Sequence, residues 1–227
     1  MRNTATRVRV TKALPLAALA AAALTGCGSG GDDGLPPRPL VAAIGDSITA
    51  GAPLWDPDPK LRAAIEEPDE QSQYEHWAAR RLGVRFRNCG VSGQTTDEIA
   101  PRLDACLRGA RMVIVQGGLN DLVLERTPEH AAANLRAMVV RAKAAGVRVV
   151  LAELIPWNGD AGAAPRIAAL NRLIAGIGRD EHVRVLPFHR VLEDPADRTR
   201  MRDDLTDDDI HPSVEGYQRL SEVIPAP

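Results

Sequence analysis

From about residue 39 onward, apolar runs of five to eight residues alternate with longer stretches whose apolar positions recur at helical spacing. The runs are LVAAI (40–44), VRFRNC (84–89), RMVIVQ (111–116), VRVVLAEL (147–154) and VRVLPF (183–188). They are rich in Val, Ile and Leu, the signature of strands covered on both faces. Between them, QSQYEHWAARRLG (71–83), TDEIAPRLDACLRGA (96–110), TPEHAAANLRAMVVRAKAAG (127–146) and PRIAALNRLIAGIGRD (165–180) have helical period, and a last amphipathic helix ends near Ile224. Boundary signals support this reading: Thr127 stands before Pro128 and Glu129 at one end of the third helix, and Gly146 closes the other. Alternation of this kind predicts an α/β protein, a parallel sheet of about five strands between two helical layers. In such sheets ligands bind beyond the carboxyl ends of the strands.

Chemistry-bearing residues gather at those ends. The first strand breaks into Gly45-Asp46-Ser47, so one hydroxyl stands at the rim of the sheet. By itself this turn says little, because surface turns use the same residues for their backbone properties. The second strand, however, runs into NCGVSGQTT (88–96), a glycine-rich loop whose N–H groups can approach a ligand, and the third into GGLND (117–121), which offers the Asn120 amide. TDDDIHPSVEGY (206–217) adds a carboxylate and an imidazole three residues apart, Asp208 and His211.

In these four blocks and their order the chain resembles the SGNH hydrolases, the GDSL esterase and lipase family. The matching residues are Gly45-Asp46-Ser47, Gly93 within SGQT, Gly118-Leu119-Asn120-Asp121, and Asp208 with His211. The resemblance covers nearly all of the chain beyond residue 39 and implies a three-layer, flavodoxin-like α/β/α sandwich. It also implies a serine esterase. Ser47 would attack an acyl carbonyl, His211 would take and return the proton, and Asp208 would hold the other ring nitrogen. The anionic oxygen would meet the N–H groups of Ser47 and Gly93 and the side-chain amide of Asn120, each worth about 3 kcal/mol in the transition state. Gly90 is a second candidate in the same loop, but the S-G-x-T register of the family selects Gly93. The G-x-S-x-G elbow of α/β-hydrolases is absent. No cofactor and no metal are implied.

Composition narrows the partners. With 227 residues, 44% hydrophobic, 26% charged and a net charge of -2, the chain is an ordinary globular protein without the basic density that nucleic acid requires. The expected partner is a small-molecule or lipid ester. Nothing in the sequence fixes an oligomeric state. Arg2, Arg7, Arg9 and Lys12 precede ALPLAALAAAAL, too short to span a bilayer and ordered like an export signal. LTGC (24–27) resembles a bacterial lipobox. The expected organisation is therefore a lipoprotein signal peptide over 1–26, a flexible tether over 27–38 beginning at a lipidated Cys27, and a hydrolase domain over 39–227. Export would hold the domain at the cell envelope, anchored to a membrane, in an oxidising compartment. There Cys89 and Cys106 either join, which closes a short loop worth roughly 3 kcal/mol, or stay as two buried thiols.

The remaining candidates are read more plainly. Asp46 is expected to brace the turn around Ser47, and Asp121 to orient its own loop. The acidic run from Asp203 to Asp209 lacks the spacing of a calcium loop and reads as a solvated face. His76, His130, His182 and His189 have no companion at metal-ligand spacing. Trp55 and Trp157 follow the first and fourth strands, and either line the substrate pocket or pack. The segment 53–73 is expected to form a loop or short helix beside the cleft. Arylesterase or short-chain acylesterase activity heads the expectations, ahead of lysophospholipase or thioesterase and envelope polysaccharide deacetylase activities. A binding lipoprotein that keeps the fold without turnover ranks last, because the functional set is intact.

Overall fold

The computed structural model describes residues 37–160 and 162–227, so the expected signal peptide and Cys27 lie outside the described residues. Five strands, β1 (Leu40–Gly45), β2 (Arg85–Gly90), β3 (Met112–Val115), β4 (Arg148–Ala152) and β5 (Arg184–Leu186), form one parallel sheet in the order β2-β1-β3-β4-β5. The expected sheet is thus present. β5 stops where Pro187 begins, since proline has no N–H to extend the ladder.

The helices in chain order are α1 (Ser47–Ala50), α2 (Pro59–Arg62), α3 (Tyr74–Leu82), α4 (Thr96–Ile99), α5 (Leu103–Leu107), α6 (Leu119–Val123), α7 (Pro128–Ala144), α8 (Ala164–Asp180), α9 (Phe188–Leu192) and α10 (Val214–Glu222). Successive strand residues point to opposite faces. Val41, Ala43, Met112, Ile114 and Val150 pack against α3, α9 and α10 through Tyr74, Phe188 and Tyr217. Ala42, Ile44, Val113, Val115 and Leu151 pack against α5, α7 and α8 through Leu103, Leu135 and Ile174.

One expected helix is divided. The stretch 96–110 folds as α4, a 3-10 turn over Ala100–Arg102, and α5. Pro101 lies in that turn, and without an N–H it cannot continue the α4 ladder. Cys106 on α5 and Cys89 on β2 are joined by a disulfide with their Cα atoms 6.2 Å apart, which resolves the open choice about these two cysteines. Beside it Arg87 donates to the carbonyls of Cys106 at 2.9 Å and Arg108 at 2.6 Å. Because β1 is flanked by β2 on one side and β3 on the other, the loops that follow β1 and β3 diverge and leave a crevice at the strand ends.

Candidate active site

Ser47 owes its position to the residue before it. The Asp46 carboxylate caps α1 by accepting from the Ile48 N–H at 3.0 Å, so helical geometry begins at Ser47. As the first helical residue, Ser47 has an N–H with no acceptor inside the helix. The brace expected of Asp46 is therefore present. Gln116, at the end of β3, steadies the same turn: its Oε1 accepts from the Asp46 N–H at 3.3 Å and from the Thr49 hydroxyl at 3.0 Å. Asp46 is buried, and its Oδ2 has no hydrogen-bond partner among the described residues. Burial pushes its pKa up to about 6 against the opposing bond from the Ile48 N–H.

The loop before α10 reaches back to this hydroxyl. His211 Nε2 lies 3.0 Å from Ser47 Oγ, and its Nδ1 lies 2.7 Å from Asp208 Oδ2. The other Asp208 oxygen accepts from the backbone N–H groups of His211 at 2.7 Å and Ile210 at 3.0 Å, so carboxylate and ring are fixed to one short turn. Burial works against an ionised Asp208, but the bonds from the His211 ring and from these N–H groups outweigh it and hold the carboxyl below the ordinary range.

Two glycines of the second loop are used differently. Gly90 packs on α1 so closely that a Cβ there would lie 2.1 Å from the Ala50 nitrogen. Gly93 adopts φ 80° in open space and lines a cavity with Ser47. Asn120, on α6, lines the same cavity, and its Nδ2 donates to the Gln94 carbonyl at 2.9 Å. One of its two amide hydrogens is thereby engaged and one is left. Asp121 lies outside the cavity lining and anchors its own loop to a neighbouring one. Fully buried, it accepts from the Thr96 N–H at 2.8 Å and the Thr96 hydroxyl at 2.7 Å, which ties α6 to the start of α4.

The cavity measures about 340 Å³ and is chiefly apolar. Ala52, Leu119, Val123, Trp157 and Ile210 wall it, while Ser47, Gly93, Asn120 and His211 stand at its polar side. Trp157 is steadied by its neighbour: Asn158 exchanges side-chain hydrogen bonds with the Met201 backbone at 3.0 and 2.8 Å, and its N–H donates to the Asp209 carbonyl at 2.8 Å. Trp55 does not join the wall; the Arg62 guanidinium lies 4.4 Å from its ring centroid, and it packs within the 53–73 segment instead. That segment does border the site, since Asp56 accepts from Ser92, a lining residue, at 3.5 Å.

His130 departs from the sequence expectation, because Asp97 and Asp121 lie near it in space although not in spacing. His130 Nε2 is 2.8 Å from Asp97 Oδ2, but Arg126 shares that oxygen and Asn134 donates to the other at 2.9 Å. The cluster is therefore internally paired. Residues to which the sequence reading gave no role but which stand here are Ala52, Val123 and Ile210 in the wall, and Gln94 and Arg102 behind it. Apolar residues in short loops show no period, and Arg102 reads as one more charge on a helix face. No local signal marked either.

A sequence model described as the GDSL-like lipase/acylhydrolase family matches residues 43–219. An esterase, TesA of Pseudomonas aeruginosa, is 28% identical over 183 residues, covering 79% of this chain and 82% of that protein. Among solved structures, a lipolytic protein assigned to the G-D-S-L family from Desulfitobacterium hafniense DCB-2 superposes with a TM-score of 0.68 at 24% identity, covering 81% of this chain and 96% of the other. An acetyl xylan esterase from Geobacillus stearothermophilus does so with a TM-score of 0.65 at 19% identity, covering 83% and 94%.

Proposed function

The chain belongs to the GDSL-like lipase/acylhydrolase family and is a hydrolase acting on ester bonds, and we propose that it is a serine esterase for short acyl or aryl esters. One observation carries the reading: a hydroxyl, an imidazole and a carboxylate stand in series at 3.0 and 2.7 Å, at the polar side of an apolar cavity.

Ser47 Oγ attacks the acyl carbon as its proton passes to His211 Nε2, and the imidazolium is stabilised by Asp208 on Nδ1. The carbonyl oxygen becomes anionic and takes hydrogen bonds from the N–H groups of Ser47 and Gly93 and the free hydrogen of Asn120. Collapse expels the alcohol, which receives the proton from His211, and leaves the acyl group on Ser47. Water then attacks that acyl-enzyme with His211 again as base; the Ser47–acyl bond breaks, the proton returns to Ser47, and the acid departs.

The size and apolar wall of the cavity favour a compact acyl or aryl group over a long chain threaded through the protein. The relative named as an esterase supports ester hydrolysis, and the preference for compact groups rests on the cavity alone. We also propose export and anchoring through a lipidated Cys27, as the lipobox-like LTGC suggests; the Cys89–Cys106 disulfide is in keeping with an oxidising compartment.

Hydrolysis of p-nitrophenyl esters from acetate to palmitate tests the reading. Short esters should turn over fastest, and Ser47→Ala should lose at least about a thousandfold in kcat. A fluorophosphonate probe should label the native protein and not that variant. Trp157→Ala should raise the rate on octanoate relative to acetate by opening the wall. Full activity in Ser47→Ala would remove the assignment.

A further inference from the structure

Arg102, the last residue of the 3-10 turn that divides the expected helix, sends its guanidinium beneath the strand ends. Its Nε donates to Gln94 Oε1 at 2.8 Å, its Nη2 to the Gly45 carbonyl at 3.0 Å, and its Nη1 to the Cys89 carbonyl. Each acceptor lies on a segment that carries the cavity's polar edge. Gly45 is two residues before Ser47. Gln94 follows Gly93. The Gln94 backbone carbonyl is also the acceptor for the Asn120 amide. One cation is therefore bonded to the pieces of chain that set the positions of all three N–H donors.

The chemistry of the contacts is informative. No carboxylate pairs with Arg102 among the described residues, although the protein places many arginines in ion pairs. Its side chain is half-buried and spends all three nitrogens on neutral oxygens, a use that the rigid, planar fork of arginine suits and a lysine could not reproduce. Asn120 depends on this arrangement most. An amide at the end of a two-bond side chain is aimed by whatever holds its first hydrogen, and here that is the Gln94 carbonyl. Donors around a developing anion are worth most when they need no reorganisation, and small misplacements are costly.

We infer that Arg102 is a positioning residue for the oxyanion hole, acting through Gln94 and Gly45 on the donors at Gly93, Asn120 and Ser47. The inference rests on the esterase reading above. It differs from a purely structural role in what it moves, namely transition-state stabilisation with ground-state binding left alone.

Arg102→Met and Gln94→Leu, singly and together, test it on the full-length protein with p-nitrophenyl acetate, with thermal unfolding recorded in parallel. Gln94→Leu removes only the Nε contact and leaves the backbone carbonyl that holds Asn120. Arg102→Met should lower kcat about tenfold or more with KM within about twofold, and Gln94→Leu should lower kcat by about threefold at unchanged Tm. The double variant should be no slower than Arg102→Met, because both changes break one linkage. If Arg102→Met does not fold, Gln94→Leu decides: its kcat loss at unchanged Tm supports the inference, and an unchanged kcat overturns it. A folded Arg102→Met with native kcat, a change confined to KM, or losses that multiply in the double variant would each overturn it as well. Native protein that neither hydrolyses the ester nor takes up a fluorophosphonate at Ser47 would instead overturn the esterase reading, and the inference with it.

Discussion

Asp46 stands one residue before the proposed nucleophile and caps the helix that presents it, yet half of its carboxylate has no partner among the described residues. With a pKa of about 6 in the fold against an ordinary 3.8, the native state holds this proton more tightly than the unfolded chain does. The linked stability is fully present below about pH 4 and is lost as pH rises through 6, on the order of 3 kcal/mol across the window. Asp46→Asn can still accept from the Ile48 N–H but does not titrate. The Tm of the native protein relative to this variant should therefore fall between about pH 4 and above 6 and then level off. Thermal unfolding across that range measures it, and a flat difference would contradict the account. The bracing role was legible in the sequence, because an Asp in a Gly-Asp-Ser turn hydrogen-bonds its own backbone. The orphaned oxygen was not, since burial is decided by segments that pack around it from elsewhere in the chain, such as the end of β3 with Gln116.

At the scale of elements, legibility followed length. The five strands and the long helices α7 and α8 announce themselves through period and boundary residues, and the fold contains them. The four-residue α1 and the five-residue α6 and α9 are too short to display a helical period, although α1 and α6 present Ser47 and Asn120. Pairing between elements is also invisible in one sequence, which is why the link of α5 to β2 through Cys106 and Cys89 stayed open. Their separation of 17 residues sets the loop that the bond removes from the unfolded ensemble, worth about 3 kcal/mol. Replacing both cysteines by serine should lower stability by roughly that amount in denaturant melts. Reductant should destabilise the native protein similarly and leave the variant unmoved; equal stability of the two proteins would show that the loop is held by other contacts.

For the whole molecule, the sheet supplies a rigid base and its carboxyl ends supply the chemistry, so the four sequence blocks converge although 164 residues separate Ser47 from His211. That convergence was legible only through the family pattern, because spacing along a chain does not state where loops meet. The proposed location in the cell is a separate matter, read from the sequence that precedes the domain. If Cys27 is lipidated, the native protein should fractionate with membranes and its N-terminal peptide should carry acyl mass, while Cys27→Ser should be released to the soluble fraction. A soluble native protein would end the anchoring proposal.

The turn from Asp208 to His211 is bonded to itself through two backbone N–H groups and one ring nitrogen, and it meets Ser47 through a single contact. Carboxylate and imidazole thus travel as one cassette. An insertion or deletion in the irregular stretch between α9 and α10 would shift both together, preserving the imidazole's tautomer while spoiling its aim. A descendant could in this way fall silent with every signature residue still in place, and an inventory of motifs would count it as alive.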